Sequence, residues 1–240
     1  MLIDHIGAAV LARLLMVNGL GELDQTNTDA IMQWLSANGA LYWMYTVMRM
    51  IGRVAFPIFC FLLVEGFLHT HDVKKYAMRL GLFALLSEIP FDLAFSSKIL
   101  EFNYQNVFFT LFIGLLTMIA YRAVEEKEEW NQALKVILYI LIVAAGMALA
   151  YFLKTDYAEK GVFCIMVLYI FRKKKMWQLI AGCASFIWET PALFGFIPIA
   201  FYNGTRGWKM KYFFYIFYPA HLLILYLLCY FMGISGYSAV

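Results

Sequence analysis

Apolar runs of roughly membrane length follow one another along almost the whole chain, with only short polar breaks between them. A helix that crosses a bilayer needs about 20 predominantly apolar residues. Nine segments of this character are read, at residues 1–18, 41–68, 78–96, 105–121, 134–153, 159–171, 176–189, 191–203 and 212–233. With 63% hydrophobic and only 15% charged residues, a water-soluble domain is excluded as the simplest reading. The expected fold is all-α: a polytopic transmembrane helix bundle forming one integral membrane domain over residues 1–240. The second segment is long enough to begin as a tilted or interfacial piece at 41–50. The sixth to eighth are short, which points to tilted, broken or re-entrant helices. Asp4, His5 and Arg13 interrupt the first apolar run, so no cleavable signal peptide is expected.

Cys60, Cys164, Cys183 and Cys229 all fall inside apolar runs, with no CxxC and no zinc-type spacing. They read as buried free thiols, and neither a disulfide framework nor a metal site is expected. Lysine and arginine in the connections set the orientation. With the N-terminus inside, inner connections carry thirteen basic residues, among them Lys74, Lys75, Arg79, the run at 172–175, Arg206 and Lys209. Outer connections carry Lys98, Lys154 and Lys160. The polar stretch 21–29 becomes an outer loop, the N-terminus lies inside and the C-terminus outside.

Ionisable groups within a bilayer are costly unless paired, which makes each a functional candidate. The run 52–66, GRVAFPIFCFLLVEG, carries Arg53 at one end and Glu65 at the other. Arg49 and Arg53 share one helical face, as do Glu88 and Asp92 on the next span. Counting from the shared inner connection puts Arg53 and Asp92 within about 3 Å of one depth. An Arg53–Asp92 or Arg53–Glu88 pair is therefore expected, either as part of a site or as a staple between helices.

Of four histidines, His69 and His71 sit at the inner end of the second span, where a solvated interfacial place is expected. His221, in YPAHLL, lies about 14 Å into the last span, near the middle of the bilayer. His5 follows Asp4 in the first segment. A mid-membrane histidine is suited to taking a proton near neutral pH, although a hydrogen-bonded packing role for His221 on a proline-broken helix is the bland alternative. Asn106 and Asn203 bracket helix ends, and Asn203 through Lys209 could wrap an anion, while matching no nucleotide-binding motif. The run at 172–175 is most simply a topology anchor, with attraction of a cytosolic polyphosphate as a second reading. Aromatics at 212–218 read as an interfacial belt and packing.

DHIG at 4–7, IGRVAFPIFCFLLVEGFLHT at 51–70, KKYAMRLGLFALLSEIPFDLAF at 74–95, NVFFTLFIGLL at 106–116 and NGTRGWKMKYFFYIFYPAHLLILYL at 203–227 together resemble the TraX family of conjugation-associated membrane proteins. Members usually carry further apolar residues before DHIG, so either the start at Met1 is misassigned or the first helix is clipped. The resemblance implies a bacterial cytoplasmic-membrane acyltransferase. It would move acetyl from cytosolic acetyl-CoA, the donor substrate, to an amine or hydroxyl acceptor such as a pilin N-terminus or a small envelope molecule. Nucleic acid is not an expected partner.

On that reading the catalytic candidates are His5, Asp4 and His221, with His5 as general base supported by Asp4, and His221 as a second polar contact or the base itself. Arg53, Lys75, Arg79, Asn203, Arg206 and Lys209 would hold the CoA phosphates, and Arg49, Glu88, Asp92 and Asn106 would form a polar network. Acyl transfer from a thioester needs a base and oxyanion donors and no metal. The rival reading is a small transporter using the same intramembrane His, Arg and carboxylate groups, and a third is a non-catalytic membrane scaffold.

Overall fold

The computed structural model describes residues 1–24, 26–205, 207 and 211–237. Arg206 and Lys209 lie outside the described residues. Helices account for every apolar segment, in the order α1 (Leu2–His5), a π-helical turn (Ile6–Leu11), α2 (Ala12–Val17), α3 (Thr28–Arg53), α4 (Ala55–His69), α5 (Val73–Ser96), α6 (Val107–Glu125), α7 (Gln132–Phe152), α8 (Ala158–Ile170), α9 (Lys175–Ser185), α10 (Phe196–Phe201) and α11 (Lys211–Phe231). Short 3₁₀ pieces cover Leu20–Glu22 and Thr190–Gly195. The expected all-α bundle is the fold.

Among the described residues, four helical stretches are long and apolar enough to cross a membrane: Thr28–His69, Val107–Glu125, Gln132–Phe152 and Phe213–Phe231. Asparagine starts three of the helices for one reason. The side chains of Asn27, Asn106 and Asn131 each accept a hydrogen bond from a backbone N–H of the first turn, from Ala30, Phe108 and Ala133 respectively. At 13 and 11 residues, α8 and α9 span only about 20 and 16 Å, too short to cross a ~30 Å hydrocarbon core, and the next apolar segment divides into a 3₁₀ turn and the six-residue α10. The expectation of short, broken helices in this part of the chain holds.

Two boundaries differ from the sequence reading. The second segment starts at Thr28, well before residue 41, because its polar residues bond back onto the helix instead of breaking it. Ser36 donates to the Gln33 carbonyl and Asn38 to the Trp34 carbonyl. The helix is then interrupted at Val54, between α3 and α4. Pro57 explains the break: it has no N–H to offer the Arg53 carbonyl four residues back, and its ring crowds that oxygen.

Contacts group the chain into two units, residues 1–55, 88–101 and 209–240, and residues 56–87 and 102–208. In the first unit, α1 and the π turn pack against α3 and α11. In the second, α6, α7 and α8 pack on one another and α9 packs on α8. Its core includes Leu115, Met118, Ile165, Met166 and Leu168, all fully buried or nearly so. All four cysteines are free thiols, with Cys60, Cys164 and Cys229 buried as expected and Cys183 partly exposed.

Candidate functional site

The first unit gathers the ionisable residues of the first helix. Asp4 Oδ1 accepts a hydrogen bond from Arg49 at 2.6 Å, and both side chains are largely buried. The carboxylate rests on Gly52, where any Cβ would overlap it. Gly7 does the same service about one turn along, since a Cβ there would press on Met48 and Arg49 at 3.3–3.4 Å. The DHIG and GR stretches, 45 residues apart, are therefore two faces of one close helix contact. Arg53 adds a second positive charge within electrostatic reach of Asp4.

His5 and His221 stand together. Their rings lie edge to edge and nearly coplanar, 4.9 Å between centroids and 5° from parallel, with Nδ1 of His5 2.6 Å from Nε2 of His221. The other nitrogen of His221, Nδ1, lies 2.6 Å from the Phe217 carbonyl. A carbonyl oxygen only accepts, so His221 Nδ1 carries the proton, and in the neutral ring its Nε2 is the acceptor. His5 Nδ1 must then be the donor, which leaves the lone pair of His5 on Nε2. Both nitrogens of His221 are thus committed, and His221 is buried, whereas His5 is partly exposed and its Nε2 has no hydrogen-bond partner among the described residues. Phe95 and Tyr218 meet the His5 ring edge-on, each at 5.7 Å, and Phe217 stacks on His221 at 4.8 Å. Phe217 and Tyr218, read from sequence as belt and packing, form part of the wall. The π turn begins directly after His5, and such turns are frequent at functional sites.

Two expected partnerships are corrected. Asp4 does not support His5: its carboxylate is taken by Arg49, because adjacent residues of a helix point about 100° apart and Asp4 faces α3. Asp92 does not pair with Arg53: its Oδ2 accepts from the Glu101 backbone N–H at 2.8 Å, and Asp92 caps the chain leaving α5. Glu88 is likewise buried, two residues before Pro90. Asn106 is fully buried in the second unit and donates to the Ala84 carbonyl at 2.8 Å while capping α6. His69 and His71 are exposed as expected.

Arg13, read from sequence only as an interruption of the first apolar run, is completely buried. Its guanidinium donates to the carbonyls of Ala9, Leu93, Ala94 and Tyr237 and to the Ser97 hydroxyl. Ser97 in turn donates to the Ser235 carbonyl. Leu93 and Ala94 belong to the last turn of α5, whose carbonyls lack intrahelical partners and favour a cation. A cationic residue in the middle of an apolar stretch was the available signal.

Among the residues expected to hold CoA phosphates, Lys75 pairs with Asp72 at 3.1 Å, and the Lys75 backbone N–H and ammonium hold the Asp72 carboxyl below its ordinary value. Asn203 accepts from the backbone N–H and hydroxyl of Thr205, an Asx turn closed on itself. Arg79 is partly buried, and its Nε is fully enclosed without a hydrogen-bond partner.

A model of the family described as TraX protein matches residues 1–229. The chain belongs to the TraX family. A "Probable fimbrial assembly protein FimC, serogroup H1" of Dichelobacter nodosus is 28% identical over 214 residues, covering 76% of this chain and 83% of that protein. No solved structure matches. As a TraX member with several membrane-length apolar helices, the chain is a membrane protein.

Proposed function

We propose that this TraX protein is a membrane-embedded acyltransferase that moves acetyl from a CoA thioester to an amine or hydroxyl acceptor, with His5 Nε2 as general base. The observation that carries the reading is the ordered chain Phe217 carbonyl, His221, His5, which leaves one basic nitrogen on the partly exposed ring. His5 Nε2 takes the proton of the acceptor as its nitrogen or oxygen attacks the thioester carbonyl. The new C–N or C–O bond forms, the C–S bond breaks, and the proton is returned from His5 to the departing thiolate. His221 holds the His5 ring in the correct tautomer and accepts from Nδ1–H while His5 is cationic, which makes it a positioning residue. Arg49 and Arg53 supply positive charge around Asp4 on the same helix contact, where an oxyanion or a phosphate would be stabilised.

The FimC relative's name, a fimbrial assembly protein, favours an envelope protein such as a pilin as acceptor. Family membership favours a bacterial cytoplasmic membrane, and the distribution of lysine and arginine favours the N-terminus inside.

Acetyl-CoA binding and slow hydrolysis by detergent-purified protein test the reading. Retained binding with hydrolysis lost in His5→Ala is the expected result. Absence of binding at concentrations well above the cellular level would overturn it.

A further inference from the structure

The basic run at 172–175 is divided by the fold into charges that are used and charges that are left over. Arg172 forks onto both oxygens of Glu125 at 2.9 and 2.6 Å and lies over the Tyr169 ring at 3.9 Å. Lys175 donates to the Tyr202 carbonyl at 2.5 Å. These two are structural. Lys173 stands 3.6 Å from Glu125 with its side chain 77% exposed, a loose pairing in solvent that is worth little. The Lys174 ammonium has no hydrogen bond or ion pair among the described residues, its backbone alone bonding to Phe171 and Gln178.

Lys173 and Lys174 both line an open cleft of about 400 Å³, and the rest of its lining is Ile170, Phe171 and Trp177. The cleft sits where α8 ends and α9 begins, so it lies at the polar end of two apolar helices. Met176, Trp177 and Ile180 are more than half exposed on α9, which in a membrane protein makes them a surface for acyl chains. Tryptophan and lysine at such a helix end mark the headgroup level.

We propose that this cleft binds the headgroup phosphate of an anionic phospholipid, with the acyl chains lying along the apolar face of α9. The two ammonium groups meet the phosphate, and the isoleucine, phenylalanine and tryptophan meet the glycerol and the first methylenes. A soluble polyphosphate fits the lining less well, since three of its five residues are apolar and the neighbouring Arg172 guanidinium is spent on Glu125. The proposal is independent of the acyltransferase reading.

The test is lipid retention by the full-length protein, measured by native mass spectrometry after exchange into detergent with equimolar phosphatidylglycerol and phosphatidylcholine. Phosphatidylglycerol is expected to be retained preferentially. Lys173→Gln/Lys174→Gln should weaken that retention about 30-fold, at about a factor of five per lysine near a headgroup. Lys173→Arg/Lys174→Arg should keep it, and so should the charge-matched control Lys127→Gln/Lys135→Gln. Equal retention of phosphatidylcholine, unchanged retention in the glutamine pair, or an equal loss in the control pair would overturn the proposal. Displacement of phosphatidylglycerol by inorganic phosphate or acetyl-CoA at millimolar concentration would also overturn it, by assigning the cleft to a soluble phosphate.

Discussion

His5 and His221, 216 residues apart, share a 2.6 Å hydrogen bond between Nδ1 and Nε2, and the Phe217 carbonyl settles its direction. The sequence favours His5 as base and leaves His221 as a second contact or the base itself; under the proposed function the two have different tasks. His5 presents a lone pair, and His221 orients it.

That asymmetry is measurable. His5→Ala should lower acetyl-CoA hydrolysis or transfer by about 10²–10⁴-fold, the usual range for a lost general base. His221→Ala should lower turnover as well, whereas His221→Gln should recover part of it, because an amide oxygen still accepts from His5 Nδ1–H. Full activity in His5→Ala, with His221→Ala inactive, would reverse the assignment. Turnover and acetyl-CoA binding measured side by side separate loss of chemistry from loss of fold.

Gly52 is where the first helix touches α3 through Asp4. Gly52→Ala should destabilise the protein by about 1–3 kcal/mol, as overpacking does in a close-packed interior. In an Asp4→Gly background the same substitution should cost much less, because the Asp4 Cβ, Cγ and Oδ1 that the new methyl meets are all gone. Thermal unfolding of the two single variants and the double variant in detergent reads the coupling directly. Additive losses would place the clash elsewhere.

The Asp4–Arg49 pair should behave as a charge-assisted hydrogen bond in a mostly enclosed place. Removing Arg49 as Arg49→Ala should cost about 1.5–3 kcal/mol, and Arg49→Lys should cost less. A double-mutant cycle with Asp4→Asn gives the pair's own share. A coupling of zero would mean that the two side chains act independently.

Arg13 fastens the π turn, the end of α5 and the tail after α11 through one guanidinium. Replacement by methionine fills the volume yet leaves several carbonyls without a donor, so Arg13→Met should cost more than about 3 kcal/mol. Cys229, whose thiol lies 4.0 Å from Arg13, should then become reactive toward a membrane-permeant maleimide, while in the unsubstituted protein it stays protected. Unchanged labelling would show that the tail is held by other contacts.

Much of this protein was legible from its residues. Apolar runs of the length set by a bilayer determined an all-α membrane fold, asparagines announced helix starts, and the DHIG, GR and YPAH stretches carried the family and the residues of the candidate site. These features depend on local chemistry and on spacing along one helix, which the chain states by itself. The partnerships were decided by tertiary structure. Asp4 turns to Arg49 instead of His5, Asp92 to the Glu101 backbone instead of Arg53, and His221 arrives beside His5 from the far end of the chain. Depth within a membrane could be counted from the sequence, but the direction in which a side chain leaves its helix could not. A break at Val54 and a π turn after His5 each change helical phase, and only packing at Gly7 and Gly52 selects which faces meet.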